Sequence, residues 1–199
     1  MARGRKVNSN GERSKQLLLE KAIELFSSHG YHETKISDIV RAANLTQPTF
    51  YLYFQSKEKL FFDLNEEFKK NLLAIFSNKL ESITNGNITS KEFMYECIEN
   101  AFNYFYENPN LTKIGFYEAQ SANDLKNQIV QLFTTILKSE QYKLTIHNEI
   151  EIDILAQSIL GSIERLTLKY ILTKQQTPKK LANDIINIYF SRKLEPVTN

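Results

Sequence analysis

The stretch AIELFSSHGYHETKISDIVRAANLTQPTFYLYFQSKEKLF, Ala22–Phe61, decides the fold. Within it a short helix is predicted over about Ile36–Ala43, with Ile36, Ile39, Val40 and Ala43 on one apolar face. Asn44-Leu45-Thr46 then forms a tight connection, because asparagine tolerates the left-handed backbone that such a turn needs. Thr46 is placed to cap a further short helix, about Gln47–Phe54. Pro48 is acceptable in its first turn, where no intrahelical donor is lost. Phe50 and Phe54, four residues apart, anchor this helix to an apolar core. A short helix, a three-residue turn and a second helix that opens on polar residues have the form of a helix-turn-helix.

Working outward, the pattern stays helical and no alternating strand appears, so an all-α chain of about nine helices is expected. Upstream, a helix from about Asn10 to Ser28 carries Leu18, Ala22, Leu25 and Phe26 on its stripe. Ser9 and Glu12 have capping-box spacing, and Gly30 suits a left-handed C-terminal cap. Downstream of Ser56, Leu60, Phe61, Leu64, Phe68, Leu72, Ile75 and Phe76 predict a long helix ending near Leu80. Asn85-Gly86-Asn87 is the clearest break, and Thr89 with Glu92 restarts a helix that Asn108-Pro109 stops. Helices over 110–121 and 123–139, a loop near 141–148, a long apolar helix at about Glu149–Lys174 and a last helix opened by Thr177-Pro178 and running to about Arg192 complete the reading.

Composition limits the function classes. With 199 residues the chain can bury a real core, and its single cysteine excludes a disulfide framework. No apolar run approaches the roughly 18–20 residues needed to span a bilayer, so a soluble, cytoplasmic protein is expected. Residues 1–60 hold ten Lys/Arg against six Asp/Glu, and residues 61–199 hold fifteen against seventeen, so basic charge gathers at the N-terminal end. His29, His32 and His147 have no metal-ligand spacing, and there is no phosphate loop, nucleophile elbow or zinc signature. An enzyme, a cofactor and a bound metal are therefore not expected.

The residues Ala22, Phe26, Gly30-Tyr31, Thr34, Ile36, Ile39, Ala42-Ala43, Thr49-Phe50-Tyr51, Tyr53-Phe54, Ser56-Lys57-Glu58 and Leu60 closely resemble the DNA-binding domain of TetR-family transcriptional regulators in order and spacing. The resemblance implies a homodimeric all-α repressor whose C-terminal body binds an inducer. It departs from the usual pattern at Lys35, where a small hydroxyl residue is common, and at Asn44, where glycine is common. It departs again at Gln47-Pro48, where many relatives have a basic residue and glycine, which leaves the base preference open. With Lys35 in place of a cap residue, Thr34 is expected to take over the cap of the second helix.

The expected organisation is a basic flexible arm (1–9), a helix-turn-helix domain (10–56, motif about 35–54), a connecting helix (57–80) and a ligand-binding and dimerisation domain (81–199). Thr46, Gln47, Pro48 and Thr49 are assigned to base edges. Thr34, Lys35, Ser37, Tyr51, Tyr53 and Lys57 are assigned to phosphates, and Arg3, Arg5 and Lys6 to a minor-groove arm. The aromatic-rich region 93–117 suggests a cavity for a small, largely apolar molecule, with Phe102, Phe105, Tyr106, Phe116, Tyr117 and Gln120 as wall residues. Ile152, Leu155, Ile159, Ile163, Leu166, Leu181, Ile185 and Tyr189 are assigned to a homodimer interface, which would place two heads on a palindromic double-stranded operator. Two other readings stay open on the residues alone: a constitutive DNA-binding protein without an inducer, and a helical protein-interaction module.

Overall fold

The computed structural model describes residues 7–77, 88–138 and 151–190, without the side chains of residues 7–10 and Ser90. The expected Asn85-Gly86-Asn87 break, the 141–148 loop and the basic arm with Arg3, Arg5 and Lys6 lie outside the described residues. Among those described there are nine α-helices and no strand. None of these helices is long and apolar enough to cross a membrane. The chain forms two compact units, one of residues up to Phe68 together with Asn110–Ala119, the other of Lys69–Pro109 and the residues from Gln120 on.

In the first unit, α1 spans Val7–His29, α2 Ile36–Ala42, α3 Gln47–Tyr51 and the opening part of α4, which runs Lys57–Ser77. Helix α1 begins at Val7, so Ser9 lies within it and is not its cap. It ends where Gly30 takes a φ of 85° and donates its N–H to the Phe26 carbonyl at 2.9 Å. The turn between α2 and α3 has Asn44 at φ 53°, the left-handed conformation its sequence suggested. Helix α3 is shorter than expected, because Leu52–Phe54 close into a turn in which Tyr53 and Phe54 both donate to the Phe50 carbonyl. Phe50 and Phe54 join Leu18, Ala22, Phe26, Ile39, Val40, Ala43, Leu60 and Leu64 in one buried cluster.

The cluster also takes in Ile114, with Leu111 packed against it, which the expected division of the chain did not anticipate. Helix α6 (Pro109–Thr112) runs on as a π-helical turn, Lys113–Glu118, closed by the Ala119 N–H on the Ile114 carbonyl at 2.8 Å. Ser27 donates to the Asn110 side-chain oxygen at 3.1 Å, and the Lys113 ammonium to the Ser27 carbonyl. A Cβ on Gly115 would lie 2.4 Å from a ring carbon of Phe68, so the backbone lies directly against the ring. These contacts make Asn110–Ala119 part of the first unit, although the residues on either side belong to the second.

In the second unit, α5 spans Ser90–Glu107, α7 Ala122–Leu137, α8 Ile152–Leu166 and α9 Pro178–Phe190. Helix α5 opens on the expected capping box: the Glu92 N–H donates to Thr89 Oγ1 at 3.2 Å and the Thr89 N–H to the Glu92 carboxylate at 2.9 Å. The Thr177 hydroxyl accepts from the Lys180 N–H and caps α9. Helix α8 starts at Ile152, later than expected, and continues as a π-helical turn over Thr167–Ile171. Helix α5 packs on α9, α7 on α8, and α8 on α9.

This packing corrects the expected dimer stripe. Leu155, Ile159, Ile163, Leu181 and Ile185 are buried within the single chain, because α8 turns that face onto α7 and α9. Ile152 and Leu166 are half-buried at the margin of this core. The Tyr189 hydroxyl donates to the Ser158 carbonyl at 3.0 Å and lies 2.8 Å from the Ser162 hydroxyl. Among the described residues of α8, its π-helical turn and α9, the exposed large apolar side chains are Ile154, Leu168 and Ile188, at 56%, 42% and 71%.

Gly115→Ala is expected to destabilise the chain by about 1–3 kcal/mol, since the Phe68 ring must shift to admit a methyl group. Thermal unfolding followed by circular dichroism checks this, and an unchanged midpoint would show that the ring yields freely.

Candidate nucleic-acid interface

The helix-turn-helix presents its polar end outward. Thr46 caps α3, its hydroxyl accepting from the Thr49 N–H at 3.4 Å and lying 2.9 Å from the Thr49 hydroxyl. Thr46, Gln47 and Pro48 are exposed and Thr49 is half-buried, so the first turn of α3 offers two hydroxyls, a carboxamide and an apolar ring edge. These groups suit base edges in a major groove. Tyr51 is 56% exposed at the far end of α3, and Leu52, which follows it, is 77% exposed. Tyr53 is half-buried, and a methyl group added at Gly11 would stand 3.4 Å from its hydroxyl.

Lys35 and Ser37 are exposed at the start of α2, as a phosphate contact requires. The residue that caps α2 is Lys35 itself, whose N–H donates to the Asp38 carboxylate at 3.2 Å, so the expected cap at Thr34 is overturned. Asp38 also holds the exposed Arg41 guanidinium at 2.6 Å. The placement of Thr34 corrects its assignment to a phosphate as well. It is buried, and its hydroxyl donates to the Gly30 carbonyl at 2.8 Å and, more weakly, to that of Leu25 at 3.3 Å. The side chain thus closes the end of α1 instead of facing solvent.

Lys57 is likewise engaged inside the unit. Its ammonium donates to the Tyr31 and Thr34 carbonyls, both at 2.9 Å, and lies 4.3 Å from the centre of the Tyr31 ring. Two of its three donors therefore tie the start of α4 to the connection between α1 and α2. Beside it, Ser56 caps α4 by accepting from the Lys59 N–H at 3.1 Å. The Glu58 carboxyl is held below its ordinary value by its own backbone N–H, then by the Ser56 and Tyr31 hydroxyls. Burial, and then Glu58, push the Tyr31 hydroxyl upward.

The second unit holds the candidate ligand region. A cavity of about 440 Å³ is lined by Asn71, Ala74 and Ile75 of α4 and by Glu96, Cys97, Asn100 and Tyr104 of α5. Another, of about 450 Å³, is lined by Leu73 and Ser77 of α4 and by Gln128, Gln131, Leu132 and Thr135 of α7. The expected wall residues line neither. Phe102 and Phe105 are fully buried in the second unit and Phe116 in the first, so these rings fill packed cores. The Tyr106 ring sits under the Lys174 ammonium at 5.1 Å, Tyr117 stands edge-on to Phe116, and Gln120 is exposed. Among the described residues no three His, Cys, Asp or Glu side chains are grouped to hold a metal ion.

Comparison with known proteins bears on this geometry. Residues 18–64 match the family described as bacterial regulatory proteins, tetR family. The sequence is 34% identical over 183 residues to the HTH-type transcriptional regulator YdgC of Bacillus subtilis (strain 168), covering 92% of this chain and 93% of that one. The fold is similar to a TetR-like transcriptional regulator from Rhodococcus sp. RHA1, with a TM-score of 0.72 at 16% identity over 88% of this chain and 93% of that chain. It is also similar to the transcriptional regulator FadR from Bacillus subtilis in complex with stearoyl-CoA, with a TM-score of 0.66 at 22% identity over 89% of this chain and 98% of that chain.

Two expectations follow. Lys57→Ala is expected to lower stability by about 1–3 kcal/mol, because two carbonyls lose a charged donor, whereas Lys35→Ala leaves the unfolding midpoint nearly unchanged. Denaturant titration of the two variants separates an internal tie from a solvent-facing cation. The second concerns pH. A carboxyl whose native pKa is depressed stabilises fully above its unfolded-state value, and that contribution is lost as pH falls through the native value. Glu58→Gln is therefore expected to make stability fall less steeply on the acid side of the ordinary glutamate range, as measured by unfolding midpoints across that range.

Proposed function

The chain belongs to the TetR family of transcriptional regulators, and from that premise we propose that it is a homodimeric repressor released from a palindromic operator by a small, largely apolar molecule. The observation that carries the DNA-binding half is the outward row Thr46, Gln47 and Pro48 at the start of α3, held by Phe50 and Phe54 in the core beneath. Base-reading groups at a helix end fixed on a packed unit suit sequence-specific readout, while Lys35, Ser37 and Tyr51 supply backbone contacts. Such a protein regulates transcription and is not an enzyme.

The dimer reading rests on the uncovered faces of α8 and α9. Ile154, Ser158 and Gly161 lie on α8 opposite its buried stripe, Leu168 follows in the π-helical turn, and Ile188 projects from α9. A Cβ on Gly161 would meet nothing within 4 Å in the single chain, so close approach there would come from another molecule. A second copy applied through a two-fold axis would cover these faces with their own equivalents. Two recognition helices would then follow the symmetry of the operator.

Release by a ligand is supported by the cavities of the second unit and by the chain path. The two units are joined covalently at Phe68–Lys69, Pro109–Asn110 and Ala119–Gln120. A ligand that fits one arrangement of the second unit better than another biases the first unit through these junctions. A coupling of about 1–3 kcal/mol would weaken DNA binding roughly 5–150-fold. The similar FadR structure, solved with stearoyl-CoA, supports a body that accommodates a small molecule.

Sedimentation at micromolar concentration is expected to show twice the 23.2 kDa chain mass. Ile154→Glu combined with Ile188→Glu should give folded monomers that bind the operator weakly. A wild-type monomer would overturn the dimer reading. On DNA fragments selected by the purified protein, Gln47→Ala should change the preferred sequence. Lys35→Ala should instead weaken all sequences and reduce the salt slope by about one. Altered preference in Lys35→Ala with an unchanged slope would reverse those roles.

A further inference from the structure

The crest of helix α3 is apolar. Phe50 is fully buried beneath the helix, and at about 3.6 residues per turn the positions that stand roughly 160° and 200° around from it are Pro48 and Leu52. Leu52 keeps helical backbone angles, φ −69° and ψ −26°, and its N–H donates to the Pro48 carbonyl at 3.2 Å. It therefore stands one turn beyond Pro48 on the same ridge. Both residues are exposed, and among the described residues Leu52 is the most exposed of the large apolar side chains. Thr49 and Tyr51 flank the ridge, the first turned to the Thr46 hydroxyl and the second exposed. A single exposed leucine is ordinary at a protein surface. This one occupies the line of the helix that projects farthest from the packed core, with a proline one turn before it.

Position and chemistry together narrow what this crest can read. It belongs to the second helix of a helix-turn-helix, the one that lies in a major groove against base edges. Leucine and proline side chains neither donate nor accept hydrogen bonds, so they cannot sort the donor and acceptor patterns of the bases or hold a phosphate oxygen. The apolar group that base pairs present in the major groove is the thymine C5-methyl. Pro48 and Leu52 are about 6 Å apart along the helix, against about 3.4 Å per base step, so their targets lie within a few steps of each other. We propose that Leu52 is a specificity-determining residue that packs on a thymine methyl in each operator half-site and extends the apolar contact of Pro48 by one turn; this rests on the DNA-binding reading above. Gln47 then selects through hydrogen bonds and the crest through methyl groups, two kinds of readout on one short helix.

The test uses the tightest duplex that the full-length protein selects from a random, unmethylated pool, resynthesised with each thymine replaced in turn by deoxyuridine. That replacement removes the C5-methyl and leaves every hydrogen-bonding group in place. With the wild-type protein, at least one replacement in each half-site is expected to weaken binding roughly fourfold, the effect of losing one buried methyl group. In Leu52→Ala the same replacement should be silent, with affinity for the unmodified duplex lowered by at least that factor and the unfolding midpoint unchanged, as the exposure of the side chain implies. Should Leu52→Ala fold poorly, Leu52→Gln, which keeps the length and removes the apolar end, takes its place in the comparison. Deoxyuridine replacements that change nothing in either half-site would overturn the proposal and leave the repressor reading standing. So would methyl effects that all survive in the Leu52 variant, since equal losses on modified and unmodified duplexes mark a contact to the sugar-phosphate backbone. A pool from which no sequence is enriched, with no salt-dependent binding to DNA, would instead overturn the DNA-binding reading itself.

Discussion

The first unit depends on the approach of a bare backbone to an aromatic ring. Phe68 is fully buried, and the chain comes this close to its ring only because Gly115 has no side chain. A glycine within a helical turn costs roughly 1 kcal/mol relative to alanine, so this contact is kept against the local preference of the chain. The π-helical turn around it widens the backbone, and the extra residue per turn directs Ile114 into the core shared by α1, α2, α3 and α4. Ser27, Asn110 and Lys113 tie the same segment to the last turns of α1. Without this insertion, residues 110–119 would be an ordinary connection within the second unit.

Once that core is closed, the polar residues of the head divide by donor chemistry. Those with a buried carbonyl in reach turn inward: Thr34 to the end of α1, and Lys57 to the two carbonyls that follow it. Those on the first turn of α3 find partners in each other or in solvent, as the Thr46–Thr49 hydroxyl pair shows. The interior ties make the outward row stiff. A helix held by Phe50 and Phe54 in the core needs no backbone ordering on meeting a base, which leaves only the exposed side chains to be fixed. The recognition surface therefore owes its order to residues that never face solvent.

What could be read from the sequence follows the range of the interactions. Gly30, Asn44, the Thr46 and Thr177 caps and the Thr89–Glu92 box each act within four or five residues, and each stands where the local pattern placed it. Phe50 and Phe54 were legible for the same reason, as a pair one turn apart above an apolar face. Lys57 and Ile114 escape the local pattern because their partners are distant in the chain: Lys57 meets carbonyls 26 and 23 residues away, which no periodicity records. Thr34 differs, since the Gly30 carbonyl it bonds stands only four residues back and competes with the helix-cap role its position suggests. On α8 the pattern revealed two apolar faces but not which one the chain itself would cover. Only the packing of α7 and α9 shows that Leu155, Ile159 and Ile163 are interior and Ile154 is not.

The aromatic residues of 93–117 carry the same argument one step further. Large rings were the natural candidates for a ligand wall, yet Phe93, Phe102, Phe105 and Phe116 are fully buried, because a ring that can interlock with neighbours gains more dispersion contact than one left beside a void. The cavities lie instead where carboxamide, hydroxyl and small side chains share a helix seam with a few aliphatic ones. On α4 and α5 the short ones are Asn71, Ala74, Cys97 and Asn100. A cavity formed that way is more polar than the core around it, since short side chains at a half-exposed helix seam are drawn from the polar and small residues. The aromatic mass of such a body sets its stability, and the few short residues at the seam set what can enter it.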